Sequence, residues 1–428
     1  MNWLKSLSLT GAFIAAIAAG ACSGNENSNE AAAAAPIAEA TKALDQLVAK
    51  GSLPGAIVIV EQNGERLADI VTGYQDVEKK EPLTKDAIFR LYSMSKPITS
   101  IAILMLADQG KLKLDDPVGN YLPALADMQV YDSGDVDHIV TVPAKRPITI
   151  HDLLTHTSGI PYHFSGNTPV HQYYRKHGIM RDTPVGRTPE DGPPASNLAQ
   201  LVDRIGHAPL LFQPGEKFEY SYSTTVLGAV IEAVSGERLD QFLQKNIFAP
   251  LEMNETGFFI EDTALDRFVT GYAATPEGLV AIEQPETSDY RDHDRLLDGG
   301  GALAGTAEDY LKFATMLARK GEYKGKRLVS EALIDQMFSS QVTISGWGPN
   351  PVQFGYGLAI GDANSDALGM QPDGSVSWSG SGNTYFFVNP KTGVVALLMT
   401  HIIVSGTEQA RTLEFRSLVN HLAKEITH

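Results

Sequence analysis

The chain has 428 residues, 43% of them hydrophobic, enough for a large core and for two lobes. Its 51 acidic and 34 basic residues give a formal net charge of -17, a surface that repels phosphate backbones and excludes nucleic acid as a partner. No internal apolar stretch is long and uninterrupted enough to read as a membrane span, and a single cysteine excludes an internal disulfide.

The N-terminus comes first in chain order. Met1 to Lys5 is positively charged and Leu7 to Ala21 is apolar, the shape of a secretory signal. The segment ends in Ala19-Gly20-Ala21-Cys22, small residues before the lone cysteine, and so resembles a bacterial lipobox. Cleavage before Cys22 and its acylation are the expectation, although Ala19 stands where leucine is usual; an ordinary signal with an incidental cysteine is the alternative. Ser23 rather than Asp resembles the outer-membrane address of Gram-negative lipoproteins. The protein is therefore expected to be exported, periplasmic and attached to the membrane only through an N-terminal lipid. Residues 1–22 form the leader, and 23–36, polar and then alanine-rich, form a disordered tether.

Ile37 to Ala49 has helical apolar spacing. Two β-rich runs flank Asn63-Gly64, a strong hairpin signal. The middle of the chain is rich in turns and proline, with helical pieces, and 124–194 reads as long loops. Strand character returns at Phe354 to Ile360, Ser375 to Val388 and Val394 to Ile403, the last two joined by a tight turn over Asn389 to Gly393. A final helix is expected over Thr407 to Lys424. Strands at both ends and helices between imply an α/β (α+β) fold, an antiparallel sheet flanked by helices with an inserted all-α lobe. The expected lobes are 37–115 with 295–428, and 116–294, and a cleft between them is the natural place for a site.

The chemistry concentrates at "FRLYSMSKPITSIAILML", Phe89 to Leu106. Pro97 suits the first turn of a helix whose following residues are apolar on all sides, so this helix is buried. Ser93 and Lys96 lie one turn apart at its N-terminus. Burial disfavours an ammonium, so Lys96 is expected to lose its proton easily and to act as base for a Ser93 nucleophile. The bland alternative has Ser93 or Ser95 capping the helix while Lys96 reaches out to water.

The surrounding blocks favour the first reading. "LYSMSKPITS" resembles the Ser-x-x-Lys box of the serine β-lactamase and penicillin-binding-protein superfamily. "LLTHTSGIPY", "PGEKFEYSYSTTVLGAVIEAVSG", "GGGALAGTAEDYLKFATML" and "WSGSGNTYFFVNPKTGVVALLM" resemble further segments of its esterase-like branch, in family order and over nearly all of the mature chain. The resemblance implies a β-lactamase/transpeptidase-like fold, no cofactor, and Tyr220 as the second catalytic group beside Lys96. Tyr222 is an alternative phenol, but the spacing from Pro214-Gly215 favours Tyr220. The resemblance also implies an oxyanion hole made by the N–H groups of Ser93 and Ser381.

Two departures bear on substrate. The second box is usually Tyr-x-Asn; here it reads Tyr220-Ser221-Tyr222, which puts Tyr222 where an amide would grip a peptide-like substrate. The third box is usually Lys-Thr-Gly or His-Thr-Gly; here it reads Trp378-Ser379-Gly380, the expected substrate wall, and Trp378 cannot bind a carboxylate. A true Lys391-Thr392-Gly393 string lies in the turn after the strand and reads as a decoy. Trp-x-Gly resembles the family VIII carboxylesterases, and the missing cation points to small neutral esters. A DD-peptidase or D-amino-acid amidase is the alternative, then a β-lactamase, with small esters or amides as ligands throughout.

Other classes fare worse. An α/β-hydrolase needs a Gly-x-Ser-x-Gly elbow, which is missing here. No metal site is expected: His151 and His156 do not share a helix face, and His163, His171 and His177 read as surface or loop residues. Gly299-Gly300-Gly301 has no following Gly-Lys-Ser/Thr and reads as a flexible turn, with Thr306 capping the next helix. His156 is assigned to structure. A non-catalytic binder or sensor remains the rival outside enzymes.

Overall fold

The structure is a computed structural model and describes residues 33–182, 188–345, 350–404 and 410–427. The leader and Cys22 lie outside the described residues. Helix α1 covers 33–49, so the last alanines of the expected tether are helical. Alanine has the best helix propensity, and Pro36 falls in the first described turn.

One sheet of nine strands organises the molecule. Its strands are β1 (Gly55–Gln62), β2 (Glu65–Asp76), β3 (Glu81–Pro82), β4 (Val342–Ile344), β5 (Val352–Phe354), β6 (Ala359–Ile360), β7 (Val376–Ser379), β8 (Tyr385–Asn389) and β9 (Val394–Thr400). The order is β4-β5-β6-β7-β8-β9-β1-β2-β3, and every pairing is antiparallel. The first strand thus pairs with the last, Ala56 opposite Thr400 and Val60 opposite Ala396. Asn63 (φ 54°) and Gly64 (φ 88°) make the β1–β2 turn, where both residues need the left-handed region. The expected strand over Ser375 to Val388 is two strands, because Gly380 to Thr384 turn back between β7 and β8. The expected strand over Phe354 to Ile360 likewise breaks into β5 and β6 around Gly357 (φ 80°).

Side chains alternate across the sheet because the strand period is two. Val58, Val60, Ala396, Leu398 and Phe387 face α1 and the C-terminal helix α5 (Ala410–Ile426), through Leu44, Phe415, Val419 and Leu422. Ile57, Ile59, Leu397, Met399 and Phe386 face α2 (Ser95–Asp108) and α4 (Ala307–Ala318). Each such side chain, fully withdrawn from water, contributes about 1.5–3 kcal/mol.

The chain leaves and re-enters this layer at a strand pair, Ile88–Arg90 against Ala304–Thr306. The residues between include α2, α3 (Ser223–Ser235) and the helices Ile150–Leu154, Pro169–Lys176 and Leu198–Gly206. They also include two hairpins, Gln129–Ser133 with Val140–Pro143, and Gly271–Thr275 with Gly278–Glu283. The pair at the exit brings the N-terminus of α2 against Gly299 and Gly300, and there the site is built.

Candidate active site

Tyr92–Met94 form a single 3-10 turn that runs straight into α2. Tyr92 holds φ 45°, a region L-residues rarely adopt, immediately before the expected nucleophile. Such strain costs of order 1–3 kcal/mol and persists only when the surroundings enforce it. Here they do: Leu91 N–H donates to Leu303 O at 2.9 Å, and Gly380 and Gly382 press on Leu91 and Tyr92 from the sheet. No side chain caps α2, and Ser95 Oγ accepts from Leu303 N–H at 3.2 Å, so the capping alternative fails.

Lys96 is fully buried. Its ammonium donates to Ser93 Oγ at 3.2 Å, to Tyr162 OH at 3.0 Å and to Gly300 O at 2.6 Å. Burial, the largest influence, pulls its pKa down. The Tyr162 and Tyr220 phenols, a hydrogen bond with Tyr220 and the Asp298 carboxylate outweigh burial, and the net is upward. The expectation that burial alone frees this proton therefore does not hold. Three acceptors and a nearby carboxylate favour the ammonium form more than burial alone would allow.

Tyr220 lies just before α3. Its ring centre is 4.5 Å from Lys96 Nζ, 4.8 Å from the His156 ring, 5.6 Å from Tyr162 and 5.7 Å from Trp378. Burial, and then Lys96, hold His156 well below its ordinary pKa, so it is neutral. Its Nδ1 meets Ser221 Oγ at 2.9 Å. It braces Tyr220 rather than touching Ser93. Tyr222 behaves differently from its expected role. It is 3% exposed, its hydroxyl meets His163 Nδ1 at 2.6 Å, and it packs edge-on against Tyr162. It lies behind the site, not on the cavity wall, so the expectation of a substrate contact fails. His163 lies in a turn and His177 is exposed, as expected of loop or surface residues, whereas His171 is buried on the helix Pro169–Lys176, against that expectation.

A cavity of about 390 Å³ opens beside Ser93. Tyr220, Trp378, Ser379, Gly380 and Ser381 line it with Ser93. An added Cβ on Gly380 would lie 2.5 Å from Leu91 O, so only glycine lets this turn sit against the segment that leads into Ser93. Lys391 to Gly393 form the β8–β9 turn, with Lys391 and Thr392 exposed and absent from the cavity wall. Among the described residues, no group of three His, Cys, Asp or Glu is placed to hold a metal.

Four contributors escape the sequence reading. Tyr162 sits in a quoted block, yet nothing marks it as a partner of Lys96. Gly300 offers a backbone oxygen, so the triple-glycine segment is a packed acceptor, not a flexible turn. Asp298 accepts from Thr225 Oγ1 at 2.6 Å and Gly300 N–H at 2.8 Å, which orients that segment. Arg416 reaches the cavity from α5, and no local pattern announces it.

Comparison with known proteins agrees with this geometry. The family model described as Beta-lactamase matches residues 40–420. Protein Rv1367c of Mycobacterium tuberculosis is 32% identical over 365 residues, 82% of this chain and 86% of its own length. Esterase EstB of Burkholderia gladioli is 29% identical over 397 residues, 88% of this chain and 93% of its own. The solved structure of EstCE1, described as a hydrolase with promiscuous acyltransferase activity, superposes with a TM-score of 0.75 at 27% identity, covering 90% of this chain and 98% of its own. With its Ser-x-x-Lys helix set against an antiparallel sheet built from both ends, this chain belongs to the beta-lactamase family of serine hydrolases.

Proposed function

We propose that the protein is a carboxylesterase that works through a Ser93 acyl-enzyme. The observation that carries this reading is Ser93 Oγ, 3.2 Å from a buried ammonium and opening on a cavity walled by Trp378 where a peptidase would place a cation. The Lys96–Tyr220 pair takes the Ser93 proton as one unit, starting one proton short of ammonium plus phenol and ending as ammonium plus phenol. Ser93 Oγ bonds to the ester carbonyl carbon, and the N–H groups of Ser93 and Ser381 receive the oxyanion. The bond to the alcohol then breaks, and Tyr220 returns the proton to the leaving oxygen. Water repeats the cycle on the acyl-enzyme and frees the acid.

The test is hydrolysis of p-nitrophenyl butyrate by the soluble domain, beside the Ser93→Ala variant and a chromogenic cephalosporin. Ester turnover that vanishes in the variant, with little cephalosporin cleavage, is the expected result. Cleavage of cephalosporin or of a D-alanyl amide without ester turnover refutes it. The leader pattern supports a second part of the proposal, a periplasmic protein acylated at Cys22; labelled palmitate should enter the wild type and not Cys22→Ala, and an unlabelled soluble wild type refutes it.

A further inference from the structure

His156 is strained and wholly withdrawn from water, and acyl transfer as described gives it no task. It holds φ 56°, a region that bulky residues rarely adopt, and it is 0% exposed. Strain of this kind persists only where the surroundings enforce it, and it gathers at functional sites. The His156 carbonyl accepts from Glu219 N–H at 2.9 Å, and its ring lies 4.8 Å from the Tyr220 ring at an interplanar angle of 42°. Phe218 and Phe354 pack around it, with ring centres 5.7 Å and 5.9 Å away. These aromatic walls give the imidazole a place, and its rotation is set by the polar contact it makes.

That contact ends a buried chain of hydroxyls. Ser158, Ser221 and Ser223 are each 0–1% exposed. A serine hydroxyl has one proton to donate and two lone pairs to accept with. Ser221 Oγ donates to Ser223 Oγ at 2.7 Å and accepts Ser223 N–H at 3.0 Å. Its proton is thereby committed. At 2.9 Å from His156 Nδ1 it therefore accepts, and the one proton of the neutral imidazole sits on Nδ1. Ser223 Oγ continues the chain to Ser158 Oγ at 2.8 Å, which also accepts Ile160 N–H at 3.2 Å. The chain thus ties His156 to Ile160 against the start of α3, next to Tyr220. Nε2 is left with its lone pair and has no hydrogen-bond partner among the described residues. The bond to Ser221 is the polar tie that fixes the ring.

We propose that His156 is a positioning residue for Tyr220: the serine chain fixes its Nδ1–H tautomer and the rotation of its ring, and the ring so fixed holds the Tyr220 phenol against Lys96. The inference rests on the role of the Lys96–Tyr220 pair given above. It gives Ser221 a task of its own in the box Tyr220-Ser221-Tyr222, as the anchor of the brace.

Three variants separate the ring from its anchor. His156→Phe keeps a ring and removes the donor, and Ser221→Ala removes the acceptor. His156→Asn tolerates a positive φ and keeps an N–H for Ser221, but removes the ring. Two rates are read per folded molecule. One is turnover of p-nitrophenyl butyrate. The other is labelling by a fluorophosphonate, in which Ser93 Oγ bonds to phosphorus, fluoride leaves and the Lys96–Tyr220 pair takes the proton. Each variant should lose ~10- to 100-fold in kcat and in labelling rate, with KM changed less than about twofold, the scale of a misplacement of about 1 Å. The His156→Phe/Ser221→Ala double variant should lose no more than either single one, because both remove the same bond. A merely structural His156 would lower the urea midpoint and leave both rates alone. Wild-type rates in folded His156→Asn overturn the proposal, and so do losses that multiply in the double variant. Should His156→Phe not fold, His156→Asn and Ser221→Ala carry the test by themselves. If the wild type is labelled but cleaves no ester, the esterase reading falls and the labelling rates decide the brace. A wild type that is neither labelled nor active overturns both.

Discussion

Replacing Gly380 by alanine isolates the oxyanion turn. The backbone angle of Gly380 does not require glycine; the space does. The new Cβ would lie 2.4 Å from Thr384 Oγ1, 2.5 Å from Leu91 O and 3.2 Å from Tyr92 Cβ. Thr384 can rotate, but Leu91 O is backbone, and its residue is tied to Leu303 by a 2.9 Å hydrogen bond. Ordinary contact begins at 3.4 Å, so the turn must retreat by about 0.9 Å. That movement carries the Ser381 N–H away from Ser93. A displacement of this size costs roughly 100-fold in rate, and complete loss of one oxyanion donor about 100- to 1,000-fold. The overpacking itself costs about 1–3 kcal/mol of stability. Steady-state kinetics with p-nitrophenyl butyrate should show the loss in kcat with little change in KM, and urea unfolding should show the smaller stability loss. A folded Gly380→Ala protein with wild-type kcat refutes the placement of Ser381 N–H as the donor.

Tyr220→Phe should lower kcat about 100- to 10,000-fold, the range for a general acid–base group, and leave the fold intact; near-normal turnover returns the base role to Lys96. Tyr162→Phe removes an acceptor of the Lys96 ammonium at 3.0 Å and should cost about 1.5–3 kcal/mol in urea unfolding, with no loss if that bond is weak in solution. Acid should destabilise the protein through buried neutral histidines. Burial lowers the pKa of His163 to about 4 and of His401 to about 3, and that of His156 in the same direction. The unfolded chain then binds more protons below the ordinary value of about 6.5, so stability is present at pH 7 and falls as pH drops. His163 and His401 should each account for roughly 2 kcal/mol by pH 5, and a urea midpoint flat from pH 7 to 5 contradicts this.

The legible parts of the site are the local ones. Ser93 and Lys96 are three residues apart, Trp378 to Gly380 lie on one strand end, and each carries its spacing within a single element. The sheet built from both ends was equally readable, because β1, β8 and β9 are apolar runs bounded by Asn-Gly and Asn-Pro turns. Distance in the chain hides the rest. Tyr162 and Gly300 meet Lys96 only through packing, so the sign of its pKa shift could not be judged from burial alone. Arg416 sits on a helix whose spacing announces only a core face. Tyr222 misled because a box position predicts alignment, not which way a side chain turns.

The pairing of β1 with β9 fixes when the enzyme can first exist. Gly55 O and Thr400 Oγ1 bond at 2.7 Å across 345 residues of chain. Synthesis therefore delivers Ser93 early and the Gly380–Ser381 turn, the sheet neighbour of β1 and Arg416 last. Closing so long a loop is slow, and until it closes the first strand offers bare hydrogen-bonding edges. A chain assembled in this order brings Ser93, Tyr220 and Trp378 around one cavity only late in synthesis. The cavity wall and the closed edge of β1 form together, as the final strand and helix dock.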